Sequence, residues 1–261
     1  MDRVTEAVQV AIEAARAAGR IQQERIGKLG EVRDKGAAGD FVTEVDLLCE
    51  KEIIRRIKNN FSTHGFLAEE TGGSEGTSSS KWIIDPLDGT LNYSHGYPCY
   101  CVSIALESGG ELAVGVVYNP CLDELFVAEK GKGATLNGKA ISVSSIGSLP
   151  QSLLVTGFTP KILGTRDNNL DHFCDFMQAC QAVRRPGSAA LDLCYTAAGR
   201  FEGFWEIGLH PWDMAAGTLM VLEAGGTVSR FDGSPFTVYD KEILATNSKV
   251  HPSMIDILQK H

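Results

Sequence analysis

The chain has 261 residues, 43% hydrophobic and 22% charged, a composition that belongs to a folded globular protein and excludes disorder as its main state. Its formal charge of −9, from 33 acidic against 24 basic residues, supplies no cationic surface for nucleic acid or anionic lipid. No segment carries the ~20 apolar residues of a membrane helix, since the apolar run from Val4 to Ile21 is broken by Glu6, Glu13, Arg16 and Arg20, so neither an anchor nor a secretory signal is expected.

Residues 4–27 repeat apolar positions at three- and four-residue spacing and predict an amphipathic helix ending near Gly27. A Gly-rich connection from Lys35 to Phe41 leads into a second helix over about Thr43 to Asn60. From Gly65 to Lys139 the pattern changes to strands at 66–68, 82–84, 100–106, 112–118 and 124–128, separated by turn signals such as Ser108-Gly-Gly and Asn137-Gly. This part reads as α+β with a largely antiparallel sheet, and Ser74 to Ser80 reads as a mobile loop. The Ser-rich stretch Ile141 to Ser152 marks the boundary between an N-terminal half, 1–147, and a C-terminal half, 148–261. In the second half, strands near 153–155, 201–205, 226–228 and 242–245 alternate with helical segments near 168–181, 188–198, 212–224 and 251–260, an α/β pattern. Seven cysteines in apolar contexts, with no C-x-x-C pair, fit structural thiols in a reducing, cytoplasmic compartment. Cys99 and Cys101 would share one face of a strand with no His or second Cys pair beside them.

The most informative stretch is Trp82-Ile-Ile-Asp85-Pro86-Leu87-Asp88-Gly89-Thr90, where a hydrophobic strand runs into two acids, a proline and a glycine. Carboxylates and backbone carbonyls are hard oxygen ligands that suit Mg²⁺, and the following turn or helix start offers N–H groups to a phosphate. The same residues also read as an Asp-Pro turn with a helix cap. Glu69 and Glu70 stand just past another short apolar strand, and Asp213 falls in the first turn of a helix whose Pro211 suits the N1 position. Singly, Glu69 and Glu70 could be solvated and Asp213 could complement the helix dipole. Three acidic strand or helix ends in one chain are harder to dismiss together, since clustered carboxylates repel one another without a cation and attract phosphate only once cations invert the local field.

Glu69-Glu70, the run Asp85-Pro-Leu-Asp-Gly-Thr90 continuing as Leu-Asn-Tyr-Ser-His-Gly-Tyr-Pro98, and Trp212-Asp213 with Ala215-Ala-Gly217 resemble the two signature motifs of the inositol monophosphatase family of Mg²⁺-dependent, lithium-sensitive phosphatases. Lys35-Gly, Asp40-Phe-Val-Thr-Glu-Val-Asp46 and Gly187-Ser-Ala-Ala190 fall in the family's order and spacing, so the likeness spans essentially the whole chain. It implies a five-layered α-β-α-β-α sandwich of the inositol monophosphatase and fructose-1,6-bisphosphatase type, paired as a homodimer, with the active site between the two halves. It also implies two to three Mg²⁺ ions per site. Glu69, Asp85 and the Leu87 carbonyl would hold the first, Asp85, Asp88 and Asp213 the second, and Glu69 would touch a weaker third. Gly89 and Thr90 would offer amides to the phosphate, while Asp88, Ser188, Ala189 and Glu206 would meet the substrate.

Asp46 carries two readings. With Thr43 it is spaced as a capping box for the second helix, whereas the resemblance has it orient Thr90 toward the nucleophilic water. The two roles are treated as exclusive for one carboxylate, and the Thr90 partnership is expected. Glu206, seven residues before Asp213, fits the inositol-selective branch, where an acid contacts two ring hydroxyls; on its own it reads equally as a solvated strand-end acid. The stretch Val155-Thr-Gly157-Phe158-Thr-Pro160 resembles bacterial-type members, whose Gly-Phe replaces a more polar stretch of animal enzymes. Lys35 reads either as a cation brought to the metals by its Gly-rich loop or as a solvated lysine. His95 and His210 are not expected to serve as general base or ligand, since hard Mg²⁺ seldom takes imidazole.

The activity implied is hydrolysis of inositol monophosphate to inositol and phosphate by water activated at the metal site, without a covalent intermediate. Histidinol phosphate, fructose 1,6-bisphosphate and phosphoadenosine phosphate are the alternative substrates. A regulatory binding protein that retains the fold is the alternative of another class, and the presence of every metal acid argues against it.

Overall fold

The Ala-rich stripe at positions 7, 11, 14, 15 and 18 buries one face of helix α1 (Arg3–Arg25), and the absence of bulk there lets the helix lie close to a sheet. In the computed structural model, which describes residues 3–28, 32–34, 41–158 and 169–261, the short pair β1 (Val32–Asp34) and β2 (Phe41–Thr43) follows. Helix α2 (Glu44–Asn60) then packs beside α1 through Cys49, Ile53 and Ile57.

Next come β3 (Gly65–Ala68), β4 (Gly72–Ser74), β5 (Ser80–Asp88), the short helix α3 (Thr90–Ser94), β6 (Cys101–Ser108), β7 (Glu111–Asn119), β8 (Glu124–Glu129), β9 (Gly133–Leu136) and β10 (Lys139–Ala140). They form an eight-stranded sheet ordered β10-β9-β8-β7-β6-β5-β3-β4, antiparallel except where β3 meets β5. The remaining elements are β11 (Leu153–Thr156), α4 (Leu170–Ala179), β12 (Ala182–Arg184), α5 (Ala189–Ala197), β13 (Gly203–Ile207), α6 (Pro211–Glu223), β14 (Thr227–Ser229), β15 (Glu242–Thr246) and α7 (His251–Leu258). Their five-stranded sheet runs β12-β11-β13-β15-β14, parallel across the first three strands and antiparallel beyond.

Side-chain alternation sorts the core into three clusters. On β6, Val102, Ile104 and Leu106 face α1 and α2, while Cys101 and Ala105 face the opposite way. That second cluster is filled by α5 and α6, which are apolar nearly all round because they lie between the two sheets. Leu154, Trp205 and Leu244 of the smaller sheet meet α4 and α7 on its far side. The result is the five-layered α-β-α-β-α sandwich that the resemblance implies.

Ser74 to Ser80, expected to be a mobile loop, connects β4 to β5 and is bonded back to the segment before β3: the Thr77 and Ser78 amides both donate to the Thr63 carbonyl, at 2.9 and 3.0 Å. Gly76 packs so closely that a Cβ there would lie 2.3 Å from the Gly65 nitrogen. Strands β1, β2, β4, β9, β10 and β12 were not anticipated, each being too short to show a periodicity. All seven cysteines carry free thiols, and no described helix is long and apolar enough to cross a membrane.

The larger sheet meets the helices layered on it where β7 passes α6. A Cβ on Gly115 would stand 2.7 Å from the Ala216 carbonyl oxygen, and backbone cannot yield as a side-chain end can. Gly115→Ala is therefore expected to lower the unfolding free energy by about 1–3 kcal/mol, the usual cost of overpacking. Urea denaturation checks this, and an unchanged midpoint would show that α6 is free to move.

Candidate active site

Strand β5 delivers the central acids. Its pairing with β6 sets Asp85 opposite Ser103 and Asp88 opposite Cys101, so three steps on one strand match two on the other. Pro86, which has no N–H to give the ladder, lies inside this bulge. Residues three apart on a regular strand point to opposite faces; the extra residue brings both carboxylates into one pocket. Gly89 follows at φ +91°, where a Cβ would lie 2.8 Å from the Cys99 carbonyl oxygen, and α3 starts at Thr90. Glu69 follows β3 beside this bulge, its amide donating to the Ile84 carbonyl at 3.2 Å.

Two helices brace the loops from behind. Gln22 of α1 donates through Nε2 to the Pro86 carbonyl at 2.9 Å, and the Tyr93 hydroxyl donates to the Gln22 carbonyl at 2.7 Å. Glu50 of α2 accepts the Glu70 and Thr71 amides at 2.9 and 3.0 Å, fixing the turn after Glu69. Sequence reading missed both. Their signal was a polar residue at a core-facing helical position, next to Ala18 in one case and Cys49 in the other.

Each central aspartate commits one oxygen to the scaffold. Asp85 Oδ1 accepts the Leu87 amide at 2.9 Å. Asp88 Oδ2 accepts the Ser188 hydroxyl at 2.6 Å and the Ala190 amide at 2.8 Å. Asp213 Oδ2 accepts the His210 amide at 2.7 Å across the first turn of α6, where His210 stacks on Trp212 with ring centroids 4.8 Å apart.

Asp46 corrects the expected exclusivity. Its Oδ2 accepts both the amide and the hydroxyl of Thr43, at 2.8 and 2.5 Å, completing the capping box, while Oδ1 accepts the Thr90 hydroxyl at 3.0 Å. One carboxylate has acceptor sites for both tasks because its two oxygens diverge. Thr90 Oγ1 also lies 3.0 Å from the Leu87 carbonyl, a second acceptor for the same proton.

The pocket disfavours ionised acids. Asp85 is 2% exposed, and burial, then the charges of Glu69, Asp88 and Asp213, hold its carboxyl well above the usual range. Burial, followed by Asp213, pushes Asp88 up to about 7 against the lowering bonds from Ser188 and Ala190. Among the described residues no three His, Cys, Asp or Glu side chains are already gathered at ligating distance about one point. The acids instead face one another at Coulombic range. Hard oxygen donors, buried and crowded by like charge, fit a divalent cation such as Mg²⁺.

The second half adds Glu206 from β13, 6% exposed, whose carboxyl is raised well above normal by burial and then by Asp213 and Asp88, with Arg185 opposing. A Cβ on Gly157 would lie 2.3 Å from both Glu206 carboxylate oxygens, so only glycine leaves the acid where it stands. Asn169 fixes this corner, accepting from Trp205 Nε1 at 2.7 Å and donating to the Gly157 carbonyl at 2.9 Å. Ser188 and Ala189 begin α5 beside Asp88, and Asn92 Nδ2 ties α3 to the Pro186 carbonyl at 2.9 Å. Asp192, also missed, is buried on α5 with neither oxygen hydrogen-bonded among the described residues; burial, then Glu206 and Asp88, raise its carboxyl strongly. His95 is exposed, and Lys35 lies outside the described residues.

Residues 3–261 match the Inositol monophosphatase family. The chain belongs to that family. It is 48% identical over 252 residues to an inositol-1-monophosphatase of Synechocystis sp., covering 96% of this chain and 88% of that one. It is 42% identical over 261 residues to the Nus factor SuhB of Pseudomonas aeruginosa, covering 97% and 96%. The solved inositol monophosphatase of Anabaena (Nostoc) sp. superposes with a TM-score of 0.90 at 40% identity, covering 99% of this chain and 97% of the other. As an inositol monophosphatase family member the chain is a phosphoric monoester hydrolase of a Mg²⁺-dependent group.

Asp85 is within Coulombic reach of Glu69, Asp88 and Asp213. Asp85→Asn is expected to reduce phosphate release by about a hundredfold or more with an unchanged circular dichroism spectrum; retention of over roughly a tenth of activity contradicts a central role. Asp46 and Thr90, being directly bonded, are expected to act as one unit. The double variant Asp46→Asn/Thr90→Ala should then turn over no more slowly than the worse single variant, and multiplying losses would separate them.

Proposed function

We propose that this phosphatase hydrolyses an inositol monophosphate to inositol and inorganic phosphate with two to three Mg²⁺ ions. The observation that carries the substrate assignment is Glu206, a buried carboxylate seated against Gly157 and electrostatically coupled to Asp88 and Asp213. Such a group is a poor neighbour for a second phosphate and a good acceptor for vicinal hydroxyls. The names of relatives such as the Synechocystis inositol-1-monophosphatase support the same reading.

In this reading Glu69, Asp85 and the Leu87 carbonyl hold one ion, Asp85, Asp88 and Asp213 a second, and Glu69 borders a third. Bound Mg²⁺ supplies charge neutralisation on the phosphoryl oxygens and lowers the pKa of water. Thr90 donates its proton to Asp46, which leaves the hydroxyl oxygen as an acceptor to orient the attacking water. The Gly89 and Thr90 amides, at the start of α3, bind phosphoryl oxygens. Asp88 and Ala189, the first residue of α5, border the leaving group, Glu206 accepts hydrogen bonds from its hydroxyls, and Lys35 is a further cation of the site. A lithium-sensitive cytoplasmic homodimer completes the reading, the compartment supported by the free thiols and the pairing by the family likeness.

Phosphate release from inositol 1-phosphate and from an aryl phosphate tests it. Glu206→Ala is expected to lower kcat/KM for the inositol substrate by about tenfold to a hundredfold, the equivalent of ~1.5–3 kcal/mol for a charge-assisted hydrogen bond, and to leave the aryl substrate within about twofold, since it offers no hydroxyl to that acceptor. Gly157→Ala should shift selectivity in the same direction with an unchanged melting temperature, because the group it displaces is the free end of a flexible side chain. Equal losses on both substrates would assign Glu206 to support of the metal acids, and no loss would remove the inositol assignment.

A further inference from the structure

Ser188 occupies the N-cap of α5, where a serine ordinarily accepts an amide of its own helix. Here it makes no such bond. Its hydroxyl turns across to the other half of the molecule and donates to Asp88 Oδ2 at 2.6 Å. The cap is supplied from that side instead: the same Asp88 oxygen accepts the amide of Ala190, the second residue of α5, at 2.8 Å. Cys101 Sγ lies 3.7 Å from Asp88 Oδ2 and 3.7 Å from Ser188 Oγ, closing the cluster. Ser188 is 1% exposed, so its hydroxyl is not presented to a ligand in the open pocket, although the resemblance implied a substrate contact.

A carboxylate oxygen has about two acceptor sites, and two short donors fill those of Oδ2. Coordination by Asp88 must then use Oδ1. We infer that Ser188 is a positioning residue for the cation site, exchanging its own helix cap for a bond that holds Asp88 with one oxygen on α5 and the other free for Mg²⁺. The inference rests on the reading of Asp88 as a ligand and extends it to the residue that aims that ligand. It also makes docking of α5 and binding of the ion two consequences of one side-chain orientation, so each strengthens the other.

Calorimetric titration of Mg²⁺ into the substrate-free, full-length protein tests this without turnover. Ser188→Ala is expected to raise the Mg²⁺ dissociation constant about five- to twentyfold, with kcat at saturating Mg²⁺ lowered less than about threefold; Ser188→Thr, which keeps the hydroxyl, should restore affinity to within about twofold. Hydrogen exchange on the unmutated protein supplies an independent measure, and saturating Mg²⁺ should slow exchange of the Ala190 amide. Parent-like affinity in Ser188→Ala, or a folded Ser188→Thr as weak as the alanine variant, would overturn the inference, as would an Ala190 amide indifferent to Mg²⁺. A parent that binds no Mg²⁺ would overturn the cation site as well, whereas normal Mg²⁺ behaviour without hydrolysis of inositol 1-phosphate would remove only the substrate assignment.

Discussion

Mutual repulsion among buried carboxylates is the constraint on which the rest of this structure turns. Two unit charges 4 Å apart repel by about 4 kcal/mol at an effective dielectric of 20, and Glu69, Asp85, Asp88, Asp192, Asp213 and Glu206 each lie within Coulombic reach of others in the set. Burial compounds the penalty, as the raised carboxyls of Asp85, Asp88, Glu206 and Asp192 show. The recurrent answer is a division of oxygens. Asp46, Asp85, Asp88 and Asp213 each give one oxygen to a backbone amide, which fixes the side chain's direction, and leave the other for a hydroxyl, cation or ligand.

That arrangement explains why so much of the scaffold converges on short loops. α1 reaches the β5 bulge through Gln22, α2 reaches the turn after Glu69 through Glu50, and Asn92 and Asp88 reach across to the start of α5. Ser103 donates to the Trp212 carbonyl at 3.2 Å, seating the first turn of α6 against β6. Backbone amides at helix starts have no intrahelical acceptor and so can donate to these carboxylates. The same carboxylates therefore cap helices with one oxygen and prepare a cation site with the other. Small residues at Gly115 and Gly157 let backbone and carboxylate approach closely where the halves join.

Much of this was legible in the sequence, and the reasons for the rest are local. An apolar strand ending in Asp85 and Asp88 is conspicuous because burial and charge collide within a few residues. The long helices and β5 to β8 carry strong periodicity, whereas β4, β9 and β10 are too short to carry one and are shaped by pairing rather than by propensity. Gln22, Glu50 and Asp192 were passed over because a single polar residue within an apolar stripe is a weak signal, and the groups each one faces are distant in sequence. The readings of Asp46 as either cap or Thr90 partner failed by treating a carboxylate as one acceptor. Ser188 was read from resemblance as a substrate contact, and only the three-dimensional approach of Asp88 reveals what its hydroxyl holds.

If the acids are gathered for a cation, they must part with protons when it arrives. Asp88 in particular, with a carboxyl near 7, is partly protonated at neutral pH. The most direct measurement is isothermal titration of Mg²⁺ at pH 6.5 in buffers of different ionisation enthalpy, repeated at pH 8. The account predicts net proton release on binding at pH 6.5 that diminishes by pH 8, as the folded-state acids ionise without help. Mg²⁺ binding with no proton released at pH 6.5, or no saturable binding at all, would contradict it.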